Sequence, residues 1–315
     1  MEEKRKKKKI NTVKVQTFGK KADIFFNIII ALFAFSCIFP FIFVIIISFT
    51  SETSLITEGY RIIPSSWSFD GYRYLYEMKD QILQALFITV FVTVVGTLVN
   101  VTFTSTYAYA ISRNSFRYRK FFTVFALVTM LFSAGMVPNY IVMTTLLNLK
   151  DTVWALILPM ALSPFNIIVM RTFFKRSVPD AIIESAKIDG AGELRVFMQI
   201  VLPLAVPGIA TISLFAALGY WNDWFNALLY IQSDNLVPLQ YLLMKIQSNI
   251  EYMSQNANMS SALSGGAAAI PKEATRMAMV VISTVPIACS YPFFQKYFIS
   301  GLRTTDMDDT AMIKI

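Results

Sequence analysis

The chain has 315 residues, 55% of them hydrophobic and 15% charged, with a mean hydropathy of +0.54 and a formal net charge of +8. That apolar share exceeds the usual share of a soluble domain, and several runs pass the ~18 apolar residues that mark a transmembrane helix. There is no histidine, and Cys37 and Cys289 each fall inside an apolar run, so imidazole catalysis, histidine-ligated metals and a paired-thiolate metal motif are excluded.

Residues 1–23 form a basic arm, with Lys4 to Lys9 nearly unbroken. An arm of this kind is more often a topology signal than a nucleic-acid site. Ile24 to Thr50 carries no charge; it is too long for a signal-peptide core and reads as a retained first span. Residues 51–80 are a polar loop. A second span lies within Ile82–Ile111 and ends at a basic turn with Arg113, Arg117, Arg119 and Lys120. A third lies within Phe121–Leu149, with Pro138 and Asn139 in its second half. After a short turn at Lys150 and Asp151 comes a fourth, Thr152–Met170, interrupted by Pro159 and Pro164.

The next stretch, SVPDAIIESAKIDGAGELRVFMQIVLP at 177–203, is polar and reads as helix, turn, helix. Ser177 is the expected cap with Asp180 three residues on, Pro179 suits a first turn, and Gly190 stops the helix. Its plain reading is an amphipathic surface helix joining two spans. A fifth span starts near Val201 and ends at Tyr220-Trp221-Asn222-Asp223-Trp224. A long loop follows, with a patch of small and polar residues at 254–269. The sixth span is Met277–Phe294, and the tail after Gln295 is polar.

Six spans put the arm, the 113–120 turn, the 171–200 loop and the C-terminal tail on one side, which then holds most of the 28 lysines and arginines. The positive-inside rule makes that side cytoplasmic and both termini internal. The six spans so drawn contain no Asp, Glu, Lys, Arg or His. Ion-coupled carriers place such a group at mid-membrane, so the energy for any transport is expected from elsewhere. No GxxxxGK[ST] motif occurs, so the chain does not carry its own phosphate-binding loop.

Within 177–203, Glu184-Ser185-Ala186, Asp189-Gly190-Ala191 and Ile200-Val201-Leu202-Pro203 resemble the EAA loop of the membrane subunits of ATP-binding cassette importers. Ser185 stands where the first alanine of that motif is usual. The segments FSAGMVPNY (132–140), DTVWALILP (151–159), YWNDWFNALLYI (220–231) and YPFFQKYFISG (291–301) are similar to carbohydrate-importer permeases related to the G subunit of the maltose system, in the subgroup labelled LplC- or YtcP-like. The likeness covers about residues 20–303.

The resemblance implies an all-α membrane protein with the type I importer permease fold, six transmembrane helices and both termini cytoplasmic. It implies a basic arm (1–23), a permease domain (24–299) and a cytoplasmic tail (300–315). Glu184, Ser185, Ala186, Asp189, Gly190 and Ala191 would form the surface that couples to an ATPase. The implied partners are a second permease subunit, two ATP-binding cassette ATPase subunits and an extracytoplasmic solute-binding protein. No cofactor is expected in this chain, since ATP and Mg would be bound by the ATPases. The tail at 304–315 is more acidic than the Gly- and Lys-containing tail usual in such permeases.

Asn100, Thr104, Tyr107, Asn139, Asn166, Trp221 and Asn222 are candidates to line a sugar path, because amides and aromatic faces suit hydroxyls and apolar ring faces. Each has a structural role as its alternative, and Trp221 with Trp224 has an interfacial anchor. The rival readings are an importer permease for peptides or osmolytes, whose coupling loop would be almost the same, and a non-transport membrane enzyme or assembly protein.

Overall fold

The computed structural model describes residues 20–255 and 271–289, together with Pro292 and Gln295. The 1–19 arm, the tail beyond 295 and all but the first two residues of the 254–269 patch lie outside them. Among the described residues the only β pairing is an isolated antiparallel bridge, Thr50 to Trp67.

The chain begins with α1 (Lys20–Ser48), which contains Pro40. Two short helices follow, α2 (Glu52–Glu58) and α3 (Asp70–Glu77). Then comes α4 (Lys79–Ser112), 34 residues long. At 1.5 Å per residue it measures about 50 Å, well beyond the ~30 Å of bilayer hydrocarbon, so its ends reach past the lipid. Next are α5 (Arg119–Leu131) and α6 (Met136–Ile141), the latter continued by a widened turn at Val142–Leu146. They are followed by α7 (Val153–Ile157), tightened over Leu158–Met160, and α8 (Pro164–Ser177). The polar stretch forms α9 (Asp180–Ile188) and α10 (Glu193–Val196), which passes through a widened turn at Phe197–Val201 into α11 (Leu202–Leu204). The remainder is α12 (Val206–Trp221), α13 (Phe225–Tyr230), α14 (Leu239–Gln255) and a helix over 272–289, here α15.

Two helices, α1 and α4, are long and apolar enough to cross a membrane, and three bent pairs raise the number to five if each is one span. The expected sixth span falls on α15, which starts with Lys272, Glu273 and Arg276 in its first turns. Each bend has a local cause. The pair α5 and α6 turns by 113° at Gly135, whose φ of +86° and ψ of 177° belong to a region that is essentially glycine's alone. Pro138 sits just past that bend, in the first turn of α6, where a missing N–H costs nothing. The pair α7 and α8 bends by 54° where Ser163 caps α8 through the Asn166 N–H and Pro164 opens it. Between α11 and α12 the chain turns by 82° at Ala205, with Pro207 in the first turn of α12. Helix α8 also runs seven residues past the Met170 expected as its end, carrying Arg171, Lys175 and Arg176 out of the apolar region.

Helix α4 is the spine. Its first half packs Ile82, Ala85, Ile88 and Val92 into one core with Leu156, Tyr220, Ala227, Leu239 and Ile246. Its second half packs Ala108 and Ile111 into another with Met170, Phe174, Val196, Phe197 and Ile212. Between the two cores Gly96 lets Tyr220 approach: a Cβ there would lie 2.6 Å from the tyrosine ring. A polar collar sits beside it, with the Asn100 amide donating to the Met160 carbonyl at 2.8 Å and Thr104 donating to Asn100 at 3.4 Å.

Candidate functional site

Helix α9 does not begin as expected. Ser177 is the last residue of α8, and Pro179 takes the N-cap position with no side-chain hydrogen bond. Val178, 1% exposed, is pulled into the second core between them, which leaves Ser177 too far back to cap. Asp180 in the first turn instead complements the positive end of the helix.

The far end of α9 closes as Gly190 requires. Its φ of +81° is left-handed. The Gly190 N–H donates to the Lys187 carbonyl at 3.0 Å and the Ala191 N–H to the Ala186 carbonyl at 2.9 Å. This paired closure satisfies carbonyls that a helix end leaves unmatched, and glycine adopts it at no steric cost. Ala186 and Ala191, which flank the closure, pack together on the second core.

Ile183, 4% exposed, faces that core. The opposite face presents Glu184, Ser185 and Asp189 to solvent. The Ser185 hydroxyl donates to the Ala181 carbonyl at 2.9 Å, so its polar group is used within the helix. Glu184 has no hydrogen bond or ion pair among the described residues. The neighbour that could have neutralised it, Lys187, is paired with Glu193. The fold leaves apolar side chains uncovered on α9 and the segment after it: Ile188 is 86% exposed, Leu194 71% and Met198 54%. Uncovered apolar side chains among charged ones are the composition of a protein-contact surface.

The exposed helix is fastened at both ends to the tip of α4. At its start, Asp180 accepts from Asn114 Nδ2 at 2.8 Å and faces Arg113 Nη1 at 3.5 Å. The Arg113 side chain is 7% exposed; it donates through Nε to Ser112 and lies over the Tyr109 ring, 5.3 Å from its centroid. Beyond its end, Glu193 joins Lys187 to the Tyr109 hydroxyl, which donates at 2.8 Å. The Tyr109 ring rests on Phe197 at 4.9 Å. The clamp thus joins α9 to α4 through two polar anchors and one aromatic contact. Sequence reading missed this clamp. Arg113 entered it only as one charge in a basic turn, and nothing local links it to a residue 67 positions later.

The candidate sugar-path residues fall in different places. Asn100, Thr104 and Tyr107 all lie on α4, and their polar groups are engaged: the Tyr107 hydroxyl donates to the Phe122 carbonyl at 2.9 Å. Trp221 is 5% exposed and donates from Nε1 to the Ser283 carbonyl at 3.1 Å, tying α12 to α15 inside the protein rather than at an interface. Asn166 is buried in the first turn of α8, Asn139 is exposed on α6, and Asn222 is exposed with its amide on the Leu218 carbonyl. The structure brings Asn100 and Thr104 together and does not gather the seven into one site.

Residues 101–304 match the family model described as the binding-protein-dependent transport system inner membrane component. The chain is 41% identical over 270 residues to the Bacillus subtilis polygalacturonan/rhamnogalacturonan transport system permease protein YtcP, covering 86% of this chain and 92% of the relative. It is 40% identical over 266 residues to protein LplC of the same organism, covering 84% and 87%. Among solved structures it resembles a chain of a bacterial ABC transporter involved in the import of the acidic polysaccharide alginate. The TM-score there is 0.74 at 29% identity, over 90% of this chain and 99% of that one.

Proposed function

This chain belongs to the family of binding-protein-dependent transport system inner membrane components, and on that footing we propose that it is the permease subunit of an ATP-driven importer of an oligosaccharide. One relative and the structural neighbour support the solute class, since the names of YtcP and the alginate transporter speak of polysaccharides. The proposed assembly pairs this chain with a second permease subunit, two ATPase subunits that bind ATP and Mg, and an extracytoplasmic binding protein. Six spans with both termini cytoplasmic put α9 beside the ATPases.

The observation that carries the reading is the unpaired Glu184 on a helix clamped at both ends to α4, with Ile188 uncovered on the same helix and Leu194 and Met198 uncovered on the segment that follows. Closure of the ATPase dimer would draw α9 with it. Asp180 and Glu193 would pass the motion to Arg113, Asn114 and Tyr109, and so to α4, which runs through both cores. Ser185, Ala186, Asp189, Gly190 and Ala191 shape this surface: small residues let a partner approach, and Gly190 sets the turn.

The test is Glu184→Lys in the complete importer. Uptake of the solute is expected to fall at least tenfold while the subunit stays in the membrane at normal amounts. Normal uptake with that charge reversal rules out Glu184 as a coupling contact. Mild-detergent purification checks the class: an ATPase, a second permease and a binding protein should come with this chain, and unrelated enzymes in their place would favour an assembly role.

A further inference from the structure

Residues of α14 and α15, with Trp224, line a groove of about 360 Å³. That volume is within the range of small-molecule sites, roughly 300–1,000 Å³. Trp224, 42% exposed, forms one wall, Met279 lies in the floor, and Gln240, Gln247, Ser283 and Arg276 supply the polar groups. Neither glutamine carboxamide has a hydrogen-bond partner among the described residues. An aromatic face beside amides and a hydroxyl is the chemistry that grips a pyranose ring. The guanidinium adds something a neutral sugar does not need.

Arg276 is held where it can act. The first turn of α15 is fixed from outside: Glu52 accepts the backbone N–H groups of Glu273 and Ala274 at 3.1 Å each, and Tyr60 donates to Glu273 at 2.7 Å. Gly71 lies so close to Ala274 that a Cβ there would meet its carbonyl carbon at 2.7 Å. The other wall is tied by Trp221 to Ser283. Arg276 faces Glu273 at a loose 3.5 Å, and that carboxylate already accepts from Tyr60. The Arg276 side chain is 32% exposed, so part of its donor fork stays open to an incoming carboxylate.

We propose that this groove is a saccharide subsite and that Arg276 selects for acidic sugars by pairing with a uronate carboxylate while Trp224 stacks on the ring. This rests on the reading of the chain as an oligosaccharide importer permease and names its substrate class. In the proposed orientation the groove opens toward the outer face, where a binding protein would deliver its cargo.

The test uses the complete permease–ATPase complex in phosphatidylcholine nanodiscs, titrated with trigalacturonate and with neutral galactotriose. Parallel uptake is measured in proteoliposomes supplied with the binding protein. Wild type should bind trigalacturonate more tightly than galactotriose. Arg276→Gln should weaken trigalacturonate roughly tenfold or more, the scale of one charge-assisted contact, and leave galactotriose within twofold. Arg276→Lys should recover part of the loss, and Trp224→Ala should weaken both sugars. Equal losses for both sugars with Arg276→Gln, or no loss for either, overturn the assignment, the first by exposing a purely structural role beside Glu273. If neither sugar binds while trigalacturonate is still taken up, the subsite falls and the import reading stands. If neither sugar is bound or taken up, both fall.

Discussion

In α1, none of the most apolar window is buried against the rest of this chain; in α4, 22% of it is. Both helices are long, apolar and almost uncharged, yet one stands nearly clear of the fold and the other joins its two cores. The difference lies in which residues they carry. Helix α1 is filled with large side chains, and Ile30, Phe33 and Phe35 are each more than 60% exposed. Helix α4 sets small and hydrogen-bonding residues on its packed face: Ala85, Gly96, Ser105 and Ala108 allow close approach. Thr89 accepts the Leu239 N–H at 2.7 Å, and Asn100 reaches Met160. Lipid is as apolar as leucine, so greasiness alone draws no helix inward. Close packing and interhelical hydrogen bonds do.

The largest test of this contrast is Gly96→Leu against Phe33→Leu. The leucine at 96 has no room, because the Tyr220 hydroxyl is also fixed to the Ile157 carbonyl at 2.8 Å and the ring cannot swing aside. Overpacking costs about 1–3 kcal/mol or more, so the melting temperature of the detergent-solubilised subunit should drop clearly and its membrane yield with it. Phe33→Leu should leave both near wild type. An equal drop would mean that α1 is packed as tightly as α4.

A finer cut compares the two ends of α4. Arg113→Gln removes the guanidinium that meets Asp180 but leaves the two cores whole. Changes along such a network alter coupling by about 0.5–2 kcal/mol, so uptake should fall about three- to thirtyfold while the melting temperature barely moves. Gln84→Ala, which loses only the contact to Asn235 at the opposite end, should change uptake less than twofold. Equal effects would remove the distinction between a transmitting end and a resting end.

The smallest effect concerns a loop staple. Asp151, at a φ of +57°, accepts from the Ser233 hydroxyl and from the backbone N–H groups of Ser233 and Gln232 at 2.9 Å each. The Ser233 hydroxyl and then those backbone donors hold its carboxyl below the usual range. A depressed folded value stabilises at pH above the ordinary aspartate value of about 4, and that stabilisation is lost as the pH falls through the depressed value. Asp151→Asn should therefore flatten the acid limb of the thermal-stability profile and shift the neutral melting temperature by about a degree or two. A full-sized acid limb in the variant would assign it to other carboxylates.

Much of the fold is legible in the chain. The long apolar helices α1 and α4, the break at Pro159 and Pro164 and the helix–turn–helix at 177–203 follow from local chemistry. So does the stop at Gly190. The misreadings are local too. Ser177 looked like a cap because Asp180 follows at the right spacing, but burial of Val178 moved the helix start. Asn100, Thr104 and Tyr107 make the structural bonds that were their alternative role, and a sequence shows a polar side chain but not what it bonds. Arg276 attracted no notice beside the Trp-rich segment, because the groove exists only once α12, α14 and α15 are brought together.

The sequence by itself determined that this protein is helical and membrane-embedded, that the chain breaks near Pro159 and Pro164, and which segment resembles a coupling helix. Those properties depend on hydropathy, on backbone restrictions at proline and glycine and on short-range capping, all of which act within a few residues. Only the tertiary structure decided that α4 is the spine, that Glu184 is left unpaired while Lys187 is taken, and that Arg276 stands beside Trp224. Those outcomes depend on contacts between distant segments, and in an apolar solvent the pattern of hydrophobic residues carries almost no information about which face of a helix will find them.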